Sequence, residues 1–275
     1  MYLETAMGGI KPAEASLGNY ATNHTDYFAH PEKYALEPFR IFGNLYYVGD
    51  RRACPYLIDT GDGLILIDTG YPPADILYIN NIYELGFDPH DIKYILHTHE
   101  HYDHTGGIDD LRPFCRFGDI DIYADNLTCT HLRERLPYFF REVLYPGVPR
   151  LHFHSIEPYH AFSIGNTEVT PIQIMHGSLP ILGYRIGALG FVTDMLTAPA
   201  ESYAALQGID TLVVNGLRHY AHGSHQTIDD AIAFSRKVGA RETYLIHMSH
   251  QAGLHAEVQL PAHVHMAYDG LEITI

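Results

Sequence analysis

The run His99-Glu100-His101-Tyr102-Asp103-His104 places four metal-capable side chains, His99, His101, Asp103 and His104, within six residues, and Thr105-Gly106-Gly107 follows at once. His99 and His101 alternate, so in an extended segment or tight turn both face one cation. Asp103 and His104 are adjacent and reach a second cation beside the first. Imidazole nitrogen with carboxylate oxygen, and no thiolate, suits Zn or Mn in a hydrolytic site better than a Cys-rich structural site. The plain alternative is a solvated His-rich loop that chelates metal adventitiously. The β-type run Ile92-Lys93-Tyr94-Ile95-Leu96 ahead of the histidines supplies the strand-then-loop setting such a motif requires.

Four ligands from one loop leave two ions under-coordinated, so others must come from other strand ends. His176 ends the apolar run Thr170–Met175, Asp194 ends Gly190–Thr193, and His247 ends Thr243–Ile246. Loops gather at such tips, and sites form there. The expected arrangement has two divalent ions, with His99, His101 and His176 on one. Asp103, His104 and His247 hold the other, and Asp194 bridges both. Water or hydroxide fills the open positions.

The elements that must position these residues are legible as patterns. Leu45–Val48 reads as a strand, and 56–59 with 64–68 as a hairpin across Thr60-Gly61-Asp62-Gly63. Helical spacing of Ile76, Ile79, Ile82 and Leu85 predicts a helix over 73–85, stopped by Gly86. Strands are expected at 120–123 and 151–156, and a helix over 126–145, interrupted by Pro137. A second series follows, with a hairpin of 161–164 and 168–175 and strands at 181–186, 191–193, 211–214 and 243–246. Thr227 caps a helix that runs to Val238, with Gly239 at its end. Val264–Tyr268 is expected to pair with Leu271–Ile275. Residues 1–35, without a clear period, read as an extended arm or lid. The remainder, 36–275, reads as one α/β domain of two similar halves, sheets inside and helices outside.

Composition narrows the partners. The chain has 275 residues, 46% of them hydrophobic, enough for a sizeable core. No apolar stretch approaches the ~18–20 residues of a membrane span, and the opening residues lack a signal-peptide layout. With 17 Lys and Arg against 33 Asp and Glu, and a formal charge of −16, the chain offers nucleic-acid phosphates no basic stripe. A small anion still binds where two cations dominate the local field. The three cysteines, Cys54, Cys115 and Cys129, show no metal-like spacing and fit a reduced cytoplasmic protein. The expected partner is a small anionic substrate, with neither nucleic acid nor membrane, and a homodimer is left open.

With these residues in view the chain resembles the metallo-β-lactamase-fold hydrolases. The H-x-H-x-D-H motif, Asp68-Thr69-Gly70, His176-Gly177, Asp194 and His247 match that pattern over roughly residues 40–275. The resemblance implies a four-layer αβ/βα sandwich with metals at one edge of two sheets, and gives Asp68 a supporting role behind the ligands. Residues 38–107 are similar to third-subclass metallo-β-lactamases. From about Gly107 the chain is similar to the cyclic-phosphate phosphodiesterases of phosphonate utilisation, through His176–Arg185, Leu217-Arg218-His219, His222-Gly223-Ser224-His225 and His247–His250. The join, near 97–110, fits a natural mosaic and an artificial chimera alike.

The details favour phosphodiester hydrolysis. The resemblance gives a bridging carboxylate, here Asp194, to the phosphodiesterases, ribonuclease Z and several thioesterases and lactonases but not to the third-subclass lactamases. It gives an extra histidine motif, here ending in His225, to the phosphodiesterases and ribonuclease Z. Two metals about 4 Å apart suit in-line displacement by a metal-bound hydroxide. His225 then serves the leaving alkoxide, and Asp103 is the second catalytic candidate. A loop or cap histidine ahead of the Thr227 helix is the plain reading of His225. Hydrolysis of a lactam, lactone or thioester is the competing chemistry, and a metal-binding scaffold without turnover is a third reading. Redox di-iron chemistry is disfavoured, because relatives of that kind carry Glu where His101 stands.

Overall fold

A computed structural model of the chain describes residues 26–116, 118–141, 148–268 and 271. Its contacts divide the chain into two compact units. One comprises the described residues within 18–156 together with Leu271, the other the described residues within 157–269. Each contains a seven-stranded mixed sheet with helices, so the class is α/β with two sheets.

In the unit spanning 18–156, the sheet runs in sequence order through β1 (Phe39–Phe42), β2 (Leu45–Tyr47), β3 (Tyr56–Asp59), β4 (Leu64–Ile67), β5 (Ile92–Leu96), β6 (Ile120–Ala124) and β7 (Leu151–Ser155). The first four strands are antiparallel neighbours, and β4 to β7 pair in parallel. Antiparallel strands need only tight turns, whereas each parallel step needs a crossover. The crossovers carry helix α1 (Asp75–Glu84), the one-turn helix α2 (Tyr102–Thr105), and α3 (Asn126–Arg135). Ile82 of α1 and Leu132 of α3 are buried with Leu66, Ile95 and Ile122 of the sheet in one apolar cluster. Every residue of β4 is buried, as expected of a strand covered on both faces.

The unit spanning 157–269 repeats this plan. Its sheet runs β8 (Phe162–Ile164), β9 (Thr167–His176), β10 (Leu179–Ile186), β11 (Leu189–Val192), β12 (Thr211–Asn215), β13 (Glu242–Ile246) and β14 (Val264–Met266). Again four strands are antiparallel, and β11 to β14 are parallel. Helix α4 (Ala200–Ala205) follows β11, and α5 (Ile228–Val238) lies between β12 and β13. The apolar face of α5, Ile228, Ala231, Ile232, Phe234 and Val238, is buried with Leu212, Val214 and Leu245. Its start has the expected capping box between Thr227 and Asp230, and Gly239 closes it in the left-handed conformation at φ 77°, a position where glycine pays no Cβ penalty.

Several expectations are corrected. The helix read over 126–145 ends at Arg135, and a 3-10 turn begins at Pro137, because proline cannot continue the hydrogen-bond ladder. Residues 142–147 lie outside the described residues. Asp103 and His104 sit on the single helical turn of α2, an element the pattern does not show. Within the arm read as extended, 26–29 is helical and 31–34 forms a 3-10 turn. Tyr27 is fully buried, and its hydroxyl donates to Asp50 Oδ2 at 2.7 Å. That bond explains why the segment docks on its own unit: a buried carboxylate requires donors. Residues 1–25, and all but Leu271 of the 271–275 partner expected for the 264–268 strand, lie outside the described residues. Strand β1 and helix α4 are elements the pattern reading passed over.

Candidate functional site

In the unit spanning 18–156, the side chains of His97, Thr98 and His104 bond to Asp68, at the tip of β4. Asp68 adopts φ 59°, a left-handed conformation uncommon outside glycine and concentrated at functional sites. Its carboxylate accepts from Thr98 N at 2.9 Å and Thr98 Oγ1 at 2.9 Å. His104 Nδ1 lies 2.8 Å from Oδ2, and His97 Nδ1 lies 3.4 Å from Oδ1. Burial alone disfavours the charge on Asp68, but the charge and hydrogen bond of His104, then those of His97, hold its carboxyl well below the usual carboxylate range. Asp68 thereby orients His104 through Nδ1 and leaves Nε2 for a ligand, the second-shell role expected of it.

Chemistry of the donor set fits a cation. His99 Nε2 and His101 Nδ1 stand 3.1 Å apart, close to the ~3.4 Å that separates two nitrogens held tetrahedrally at ~2.1 Å. The rings of His99 and His104 are 4.1 Å apart, and His104 Nε2 is 3.6 Å from Asp103 Oδ2. His99 is buried, whereas His101 is exposed and the Asp103 side chain is 40% exposed. The two glycines after the motif have a steric reason. A Cβ on Gly107 overlaps the Thr69 carbonyl, and one on Gly106 comes within 2.9 Å of the Gly70 carbonyl. Thr69 N donates to His104 O at 2.7 Å, and Gly107 N to Gly70 O at 3.0 Å. The Asp68-Thr69-Gly70 turn and the motif loop are thus bonded backbone to backbone.

In the unit spanning 157–269, Asp194 holds the corresponding place after β11, at φ 57°, and His247 follows β13 at φ 53°. Asp194 is buried, with Oδ2 accepting from Thr193 Oγ1 at 2.7 Å. His225 Nε2 lies 3.0 Å and His247 Nδ1 3.5 Å from Asp194 Oδ1. His176 Nδ1 donates to the Asp194 carbonyl at 2.8 Å, which assigns the proton to Nδ1 and frees Nε2 for a metal. One ligand atom each from His176, Asp194 and His225 falls within 4.8 Å of the others. The His225 ring stacks on His247 at 4.7 Å and meets His176 edge-on at 4.7 Å. His222 Nδ1 approaches His225 Nδ1 at 3.1 Å. Burial, then the charges of His225 and Arg218, push the His222 imidazole below its ordinary value.

Among the expected ligands, His104 bonds to Asp68, His99 lies beside His101 and His104, and Asp103 beside His104, while His176, Asp194 and His247 lie around His225. Sequence reasoning missed the supports. Thr98 links Asp68 to the neighbourhood of His99 Nδ1, 3.1 Å from its hydroxyl. The buried amides of Asn215 and Gln226 tie the Asp194 loop to the His225 loop. The Asn215 side chain exchanges bonds with both main-chain groups of Met195 at 2.8 and 2.9 Å. Gln226 donates through its main-chain N to Met195 O at 2.8 Å and through Nε2 to Asn215 O at 2.8 Å. A buried Asn or Gln carries no pattern in sequence; only the place of Asn215 at the end of β12 hints at a role.

Comparison with known proteins shows the family and the fold. A family model described as a β-lactamase superfamily domain matches residues 64–248. The octanoyltransferase of Porphyromonas gingivalis (strain ATCC BAA-308 / W83) is 46% identical over 184 residues, 66% of this chain and 37% of that protein. An N-acyl homoserine lactonase of a Bacillus species is 26% identical over 145 residues, 44% of this chain and 51% of the lactonase. The chain thus spans 37% and 51% of the lengths of these two relatives. The crystal structure of a diphosphatase from the PhnP family is similar with a TM-score of 0.67 at 28% identity, over 80% of this chain and 84% of that one. Among the described residues no helix is long and apolar enough to cross a membrane. The chain belongs to the β-lactamase superfamily and has the metallo-β-lactamase fold, that of hydrolases which work with divalent metal ions.

Proposed function

We propose that this chain hydrolyses small anionic phosphodiesters, cyclic ones included, with the help of two divalent ions, Zn or Mn. The observation that carries the reading is the 3.0 Å contact between His225 Nε2 and Asp194 Oδ1. In this contact the histidine that the resemblance assigns to the phosphodiesterases lies against the carboxylate proposed to serve both ions. The 28% likeness to a diphosphatase supports the same choice. The ligands proposed are His99, His101 and His176 for one ion and Asp103, His104 and His247 for the other, with Asp194 common to both, as the family pattern implies.

When bound, the ions supply an activated water and neutralise the phosphoryl oxygens. The residues do the rest. Asp68 and Thr98 hold His104 and His99 in orientation, and Asp103, half-exposed, is a ligand open to the substrate side. His225 gives its proton to the departing alkoxide as the P–O bond breaks. The phosphorus gains the water oxygen; one proton of that water passes to solvent and the other restores the proton of His225, leaving a phosphomonoester dianion and the free alcohol.

A second reading has a specific observation behind it. Two relatives carry names of acyl chemistry, an octanoyltransferase and an N-acyl homoserine lactonase, so hydrolysis of a lactone or thioester competes. Purified protein assayed with bis(p-nitrophenyl) phosphate, a simple lactone, an octanoyl thioester and nitrocefin separates the classes. Preferential turnover of the phosphodiester supports the first reading. Preferential turnover of a lactone or thioester replaces it with the second, and metal binding without any turnover supports a scaffold.

A further inference from the structure

The motif loop is held from outside by one side chain to which neither the sequence pattern nor the family gives a part. Arg135 ends helix α3 and reaches the loop from the side. Its Nη2 donates to Thr105 Oγ1 at 2.6 Å and to the Thr105 carbonyl at 3.2 Å, and Nη1 makes a longer contact, 3.5 Å, with the Glu100 carbonyl. Thr105 is buried, and its hydroxyl lies 3.0 Å from the His101 carbonyl and 3.2 Å from that of Glu100. The guanidinium also stands 5.7 Å from the centre of the Tyr102 ring. One planar fork therefore touches Glu100, Tyr102 and Thr105, the residues that bracket and separate His101, Asp103 and His104.

Such a loop has a problem that Arg135 answers. Asp103 and His104 lie on one short helical turn, with His101 at its N-terminal cap, and a single turn is not stable by itself. A guanidinium presents five donors in a fixed geometry, so it fastens several acceptors at once with little loss of side-chain freedom per bond. Burial lowers the basicity of this guanidinium, a cost consistent with a group placed for its bonds rather than for solvation.

We propose that Arg135 is a positioning residue that holds the 100–105 segment so that His101, Asp103 and His104 meet their ion in the correct orientation. The inference rests on the metal-dependent reading given above. It assigns no contact between Arg135 and substrate.

The test compares full-length Arg135→Gln and Arg135→Lys with the unaltered protein, and uses His101→Ala as a control. Zinc affinity is measured by chelator competition, the Co(II)-substituted protein by its visible absorption spectrum, and folding by the melting temperature of the metal-free chain. Loss of an outer-shell partner typically weakens metal binding by about 10–100-fold. Arg135→Gln is expected to bind zinc about tenfold more weakly and to alter the Co(II) spectrum, with the metal-free melting temperature near that of the parent. Lysine, able to reach Thr105, restores most of the affinity. Unchanged affinity and spectrum in Arg135→Gln overturn the proposal, provided His101→Ala loses metal. Equal losses in the Gln and Lys variants that track melting temperature also overturn it, since they show a purely structural role. If His101→Ala keeps full metal binding, it is the metal reading of the loop itself that fails.

Discussion

His225 Nε2 and Asp194 Oδ1 meet at 3.0 Å, with the His225 ring stacked on His247. The extra histidine is therefore in hydrogen-bonding contact with the buried carboxylate at the β11 tip, a different position from that of a loop histidine capping the following helix. Thr227, not His225, caps that helix.

This contact makes His225→Ala the first informative variant. Turnover of a phosphodiester is expected to fall by about 10²–10⁴-fold, the range for loss of a general acid, with two metal ions per chain retained. Elemental analysis alongside kcat checks it. Loss of metal together with activity makes His225 a ligand, an outcome its place within 4.8 Å of His176 and Asp194 allows. Full activity removes it from the chemistry.

Gly107 tests the coupling between the Asp68 turn and the motif loop. A Cβ there overlaps the Thr69 carbonyl, and backbone at both sides is tied by hydrogen bonds. Gly107→Ala is expected to cost about 1–3 kcal/mol, the usual penalty of overpacking, and to lower metal content. Urea unfolding and metal analysis of the variant provide the check.

Thr227→Ala removes the reciprocal bonds with Asp230 at the start of α5. The expected loss is about 1 kcal/mol of stability with no change in catalytic constants, measured by chemical denaturation. A loss of activity at unchanged stability contradicts the purely structural role given to this cap.

The thiols give a pH test distant from the metal chemistry. Cys129 is fully buried, and burial pushes its thiol up to about 11, whereas Cys54 is exposed. At pH 8 an alkylating reagent should modify Cys54 first and reach Cys129 only on unfolding. A thiol raised in the folded state keeps its proton there while the unfolded chain loses it. That contribution to stability is complete below pH ~9 and lost as pH rises through about 11. Cys129→Ala should flatten the stability curve across this interval, and an equally steep curve in the variant refutes the assignment.

Legibility varied with how local the cause was. The four ligand-type residues of the motif, and the polar residues that close apolar runs at His176, Asp194 and His247, are visible because strand ends and residue chemistry both appear in one dimension. Thr227 and Gly239 are visible for the same reason, since a helix cap is settled by neighbours three residues away. The left-handed backbone at Asp68, Asp194 and His247 is not, because residues of those types rarely advertise it. Helix α2 escaped notice because one turn is too short to show a period. Arg135, Thr98, Asn215 and Gln226 act across long sequence separations, and no periodicity records such bonds. Tyr27 was read as part of an extended arm because its partner, Asp50, lies 23 residues on.

The most direct test of the account is the number of ions bound. Protein purified and dialysed against metal-free buffer after loading with zinc should carry two ions per chain by mass spectrometry of the metal. Asp194→Asn should reduce that number and abolish phosphodiesterase activity. Retention of two ions and full activity in Asp194→Asn, or a parent protein that binds none, contradicts it.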